Sequence, residues 1–168
     1  MPPRAPACHG PLWGGSCLRM PGYKGHVAGA LATTGAVLGG AWWLRFYRPE
    51  PKVMAIMTGL AVLGALFPDV DTNSKGRHLY YGAAVIADAA LILQRQYRFA
   101  ALLGFCALLP AVGSHRGWTH TWWAALIIPS PILVGPMMLL GLTWQVMLPY
   151  YLAAVLGYFS HLLLDGTL

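Results

Sequence analysis

Acidic side chains are scarce in this chain of 168 residues: five Asp and Glu in all, against 11 Lys and Arg. Charged residues make up 10% of it, where soluble domains carry about 25%. So little charge excludes an ordinary water-soluble domain. With an apolar fraction of 57% and a mean hydropathy of +0.56, the chain is expected to be an integral membrane protein. The basic residues are spread through short connections and form no stripe, which excludes nucleic acid as a partner and suits loops at a lipid headgroup surface. Cysteine is also sparse. Cys8, Cys17 and Cys106 make neither a disulfide framework nor a zinc-binding spacing, and Cys106, inside an apolar run, reads as a small packing residue. Period-two alternation is missing, which excludes a β-barrel. No serine or cysteine nucleophile elbow is present.

What the chain does contain is a series of apolar segments, roughly 27–44, 53–67, 79–94, 99–113, 122–142 and 146–164. A spanning helix needs about 20 apolar residues, with about 17 workable. The first, fifth and sixth segments meet that length; the second, third and fourth are shorter. The expected fold is all-α, a polytopic transmembrane helical bundle of about five to six membrane segments. Gly29, Gly35, Gly39, Gly40, Gly59 and Gly64 permit close helix approach in lipid. Pro129, Pro131 and Pro136 should kink the fifth segment. Trp42, Trp43, Trp118, Trp122, Trp123 and Trp144 lie near segment ends, as interface anchors do. Residues 1–19, rich in Pro and Gly, are expected to form a disordered extension upstream of a start at Met20, with residues 20–168 as the membrane-embedded domain.

Against this apolar background, a few polar groups are costly and ask for a compensating partner. His161 and Asp165 stand at i and i+4, on one face of a helix. Asp69 and Asp71 flank Val70 and would point the same way if the chain is extended there, as a pair of carboxylates that chelates a cation. His115 and His120 enclose Arg116, Gly117, Trp118 and Thr119 in a loop or helix start. Imidazole is the commonest metal ligand, Arg116 suits bidentate hold on a phosphate, and Thr119 suits a supporting hydrogen bond or an N-cap. His26 opens the first segment. Taken singly, each has a bland reading: a polar turn, a capped helix end, an interfacial loop. If all six segments span, however, every one of these groups falls at the same membrane face. The metal candidates are therefore His26, Asp69, Asp71, His115, His120, His161 and Asp165. Mixed imidazole and carboxylate donors favour Zn²⁺, with Mn²⁺ or Fe²⁺ as alternatives, and that many ligands suits one or two ions. The basic residues divide six to five between the two faces, which assigns neither to the cytoplasm. Asp88, mid-segment, stands apart; it is read as a paired or protonated structural group, with an ion path as the alternative. His78 and His9 are read as surface residues.

At these residues the chain resembles the YdjM-type family of inner-membrane, metal-dependent hydrolases, described as LexA-regulated. The resemblance rests on Gly25-His26, Phe67-Pro68-Asp69-Val70-Asp71, His115-Arg116-Gly117-Trp118-Thr119-His120 and Ser160-His161-Leu162-Leu163-Leu164-Asp165, in that order. Family members continue past the final Asp with a Thr, a Gly and a further apolar stretch; this sequence ends Asp165-Gly166-Thr167-Leu168. The resemblance implies a hydrolase of the bacterial inner membrane, phospholipase-like, acting on an ester or phosphoester through metal-activated water. Asp71, Arg116 and His120 are the expected catalytic groups, one Asp as base and Arg116 neutralising developing phosphate charge. Membrane lipid is the expected partner. Two rival readings use the same residues: a metal or proton transporter, and a structural membrane protein with a satisfied polar cluster.

Overall fold

The computed structural model describes residues 22–70, 75–112 and 119–166, with side-chain environments for all but 75–76 and 109–112 of these. Among them the regular structure is entirely helical: α1 (Tyr23–Trp43), α2 (Pro51–Leu66) continued by a 3₁₀ turn (Phe67–Asp69), α3 (Lys75–Leu93), α4 (Tyr97–Val112), α5 (Ala124–Ile127), α6 (Ser130–Leu140) and α7 (Trp144–Asp165). Cys8, Cys17, His9, Asp71, His115, Arg116 and Trp118 lie outside the described residues, as does the expected extension 1–19.

Local sequence explains the boundaries. Pro51 opens α2 after an extended Glu50, where its fixed φ fits and its missing N–H costs nothing. At the other end Pro68 cannot donate to the helical ladder, and the chain tightens into the 3₁₀ turn. α6 stops at Gly141 and α7 at Gly166, both left-handed with φ of 65° and 66°, the conformation that costs glycine least. The fifth apolar segment is divided at Ile128–Pro129 into α5 and α6, with Pro136 inside α6.

Among the described residues, two helical stretches are long and apolar enough to cross a membrane: Pro51–Asp69, 19 residues, and Trp144–Asp165, 22 residues. This differs from the expectation in two ways. The second segment gains length from its 3₁₀ turn. The first and fifth fall short, because glycine and threonine dilute the hydropathy of α1 and the Pro129 turn shortens α5–α6. Trp42 and Trp43 end α1, Trp144 begins α7, and all three are exposed. Val85, Ile86, Leu93, Phe105 and Met138 also point outward, an apolar exterior far larger than a soluble monomer tolerates.

α2 and α7 lie side by side and parallel, with α1 antiparallel across both. The register of α2 against α7 is read from Ala65 beside His161, 96 positions apart. Ala61 meets Gly157 four residues earlier, and Met57 meets Ala153 four earlier again. Small residues make this approach possible: a Cβ added at Gly157 would land on the Ala61 backbone, and one at Gly64 on the Ala154 carbonyl. In lipid, where apolar burial gains little, such close contact is a main source of helix association. Gly29 packs near Leu164, whereas Gly35, Gly39, Gly40 and Gly59 face open space, so only Gly29 and Gly64 of the six have the expected packing role.

Candidate metal centre

The parallel pairing of α2 and α7, with α1 reversed, brings one end of each helix to the same place. The first turns of α1 bring His26, the 3₁₀ turn after α2 brings Asp69, and the last two turns of α7 bring His161 and Asp165. The turn before α5 adds His120. Asp165 is the hub. Its Oδ1 lies 3.3 Å from His26 Nε2, and its Oδ2 lies 3.1 Å from His161 Nε2 and 4.0 Å from His120 Nδ1. Asp69 closes the other side, 3.8 Å from His26 Nε2 and 3.9 Å from His161 Nε2. The His26 and His161 rings stack with centroids 3.9 Å apart. Both imidazoles are buried, and Asp69 and His120 are each 24% exposed. The cluster is thus sealed from within and reachable on the Asp69–His120 side.

One hydrogen bond defines its chemistry. His161 Nδ1 lies 2.7 Å from the Ala65 carbonyl oxygen. A carbonyl only accepts, so Nδ1 carries the hydrogen and, in the neutral ring, Nε2 presents a lone pair. That lone pair faces two carboxylates and makes no hydrogen bond, and Asp165 Oδ1 likewise has none. Acceptors pointed at acceptors repel unless a cation lies between them. A second proton on His161 is one such cation, but it would be buried and stacked against the neighbouring His26 ring, a costly place for charge. A divalent ion is the other. Donors on a tetrahedral ion with bonds of about 2.05 Å stand about 3.3 Å apart, close to the 3.1 and 3.3 Å seen around Asp165. Two donor sets, His26–His161–Asp165 and Asp69–His120–His161, each gather within 4.8 Å and share His161. The donors present therefore fit a metal ion.

Supporting contacts hold these groups in place. The Ala65 carbonyl belongs to the last turn of α2, where helical partners run out. Tyr158 Oη donates to the Thr119 carbonyl at 2.6 Å and pins the His120 turn to α7. Thr119 is buried, but it is not an N-cap; α5 is capped at Trp123. Asp69 sits in a 3₁₀ turn and Val70 has helical φ and ψ, so the chain is not extended at these two residues; Asp71 lies outside the described residues. The turn arises because Pro68 shifts the hydrogen-bond pattern without straightening the chain. Asp88 is outside the cluster, half-buried on α3 with Oδ1 unpaired among the described residues; His78 is exposed.

The family described as YdjM inner membrane protein matches residues 20–167, a stretch that covers every candidate ligand just named. The chain belongs to that family. It is accordingly an inner membrane protein, in agreement with its two spanning-length helices. No curated protein and no solved structure matches it. Ala65 and Tyr158 went unnoticed in the sequence, and Thr119, expected to help through its side chain, contributes its carbonyl instead. Ala65 and Thr119 act through backbone carbonyls, which side-chain identity does not report. Only Pro68, which marks the end of α2 three residues later, hints that the Ala65 carbonyl needs an outside partner.

Proposed function

We propose that this chain is a membrane-bound, metal-dependent hydrolase of an ester or phosphoester, phospholipid included, working at one membrane face. The observation that carries the reading is the hydrogen bond of His161 Nδ1 to the Ala65 carbonyl, which leaves Nε2 aimed at Asp165 and Asp69 beside a stacked second imidazole. His26, His161 and Asp165, with Asp69 and His120, would hold Zn²⁺, or Mn²⁺ or Fe²⁺, as one or two ions. A divalent ion there supplies an activated water and neutralises charge on the substrate oxygen. His161 is aimed by the Ala65 carbonyl, and Asp165 faces both His161 and His26. Asp69, twice as exposed as Asp165 at 24% against 12%, stands on the accessible side, and with Asp71 it takes the proton released by the attacking water. Arg116 offers a guanidinium to a phosphate, a role assigned from its place in the His115–His120 sequence. The ligands gather where the two spanning-length stretches end, at headgroup level, whereas transport sites sit near the bilayer midplane.

Metal analysis of detergent-purified protein tests the centre. Wild type should carry stoichiometric zinc, manganese or iron, and His120→Ala and Asp165→Ala should carry less. Equal content in all three would remove the site. Activity is read on phospholipid in mixed micelles, with loss expected on chelation and recovery on adding the metal back. Ion flux in proteoliposomes that Asp88→Asn abolishes, with no hydrolysis of any ester, would establish a transporter instead.

A further inference from the structure

Beneath the His/Asp cluster lies a cavity of about 560 Å³ bounded by α2, α3, α4, α6 and α7. Its wall is almost wholly apolar, formed by side chains such as Leu60, Leu63, Leu102, Leu103 and Ile132. The polar side chains in its wall are those of tyrosines, and the Tyr158 hydroxyl is already committed to the Thr119 carbonyl. A cleft of this size, open along part of its surface, falls within the range of ligand sites, about 300–1,000 Å³, and its apolar lining forfeits contacts where nothing covers it.

Its shape says what fills it. The outermost wall residues are Ile56 and Phe67 on α2 with its 3₁₀ turn, Tyr80 and Leu91 on α3, and Met147 and Tyr158 on α7. In each case the two lie about 16 Å apart along the helix, at 1.5 Å per residue. One leaflet of bilayer hydrocarbon is about 15 Å deep, half of about 30 Å. The upper end is adjacent to the polar cluster in sequence: Phe67 lies two residues before Asp69, and Tyr158 three before His161. The cavity therefore starts at the cluster and descends by about one leaflet.

We propose that this cavity receives one acyl chain of a membrane phospholipid, so that the headgroup linkage of that lipid rests at the His/Asp cluster. Chain binding stands on the cavity alone; its coupling to turnover rests on the hydrolase reading above.

The test uses the full chain in vesicles of phosphatidylethanolamine and phosphatidylglycerol doped with a phosphatidylethanolamine carrying a photoactivatable diazirine midway along one acyl chain. Cross-links should concentrate on wall residues such as Leu60, Leu103 and Ile132. Leu103→Trp on α4 and Ile132→Trp on α6 should each cut that labelling severalfold while metal content stays at the wild-type level. Asp165→Asn should keep the labelling and lose turnover. Labelling confined to the outward-facing Val85, Ile86 and Met138 would overturn the proposal, and so would wall labelling that neither Trp variant lowers. Should both Trp variants fail to fold, the wild-type cross-link map decides. Wall labelling without turnover in wild type would sink the hydrolase reading and leave the acyl site standing. Turnover that the folded Trp variants leave unchanged would sink the coupling of the cavity to the reaction.

Discussion

Replacing Gly157 by Ala tests whether helix packing sets the proposed metal centre. An added Cβ would lie 2.7 Å from Ala61 Cα and 2.5 Å from the Ala61 carbonyl carbon. Carbon atoms in contact stand about 3.5–4.0 Å apart, and a backbone cannot turn aside as a flexible side chain can. α7 must therefore retreat from α2 by about 1 Å. One turn further on, His161 Nδ1 lies 2.7 Å from the Ala65 oxygen. A retreat of that size stretches this bond to about 3.7 Å, beyond hydrogen-bond reach. The imidazole then loses the contact that aims Nε2 at Asp165. Two effects are expected together: destabilisation of about 1–3 kcal/mol from overpacking, and a loss of about 10–100-fold in metal affinity from losing a supporting partner. Thermal unfolding and competitive metal titration of the purified protein read both. Gly39→Ala is the control, since nothing lies within 4 Å of a Cβ there; it should be neutral or gain up to about 1 kcal/mol of helix propensity. The reasoning is refuted if Gly157→Ala matches Gly39→Ala in both stability and metal affinity.

Other outcomes follow from the same geometry. Asp165→Asn keeps the side-chain shape but removes the charge that faces His26, His120 and His161, so metal content by mass spectrometry should fall well below that of His78→Ala, whose side chain is exposed. Tyr158→Phe deletes the hydrogen bond to the Thr119 carbonyl; it should cost about 1 kcal/mol of stability and about tenfold in metal affinity, with full occupancy restored at saturating metal. Asp88→Asn, outside the cluster, should leave metal content and turnover unchanged in the assays that register Asp165→Asn.

Much of the site could be read before any coordinates, because apolar chains make polar residues conspicuous. His161 and Asp165 needed only helical spacing to be placed on one face. Asp69, His26 and His120 needed an assumption about how many segments cross, and their convergence is now measured as distances and no longer rests on counting spans. The conformation at Asp69 was less legible. The sequence offered an Asp-Val-Asp triplet that an extended chain would align, but local hydrogen bonding around Pro68 decided for a 3₁₀ turn. Glycine roles were mixed as well. Gly157, which sets the closest approach of α2 and α7, looked no different from Gly35 or Gly39, which pack against nothing.

The sequence by itself determined the membrane class, the helical architecture and the cast of ionisable groups, because burial of charge in lipid is expensive enough to leave a mark on composition and spacing. It also placed the family resemblance on the same residues. Tertiary structure alone decided three things. The parallel register of α2 on α7 puts the Ala65 carbonyl against His161 and so chooses which ring nitrogen faces the carboxylates. The Tyr158 bond to Thr119 anchors His120. The separation of α3, α4 and α6 from the central helices leaves an apolar cavity beside the cluster. All three depend on distances between helices remote in sequence, which leave no periodic trace along the chain; the α2–α7 register arises from close packing through Gly64 and Gly157.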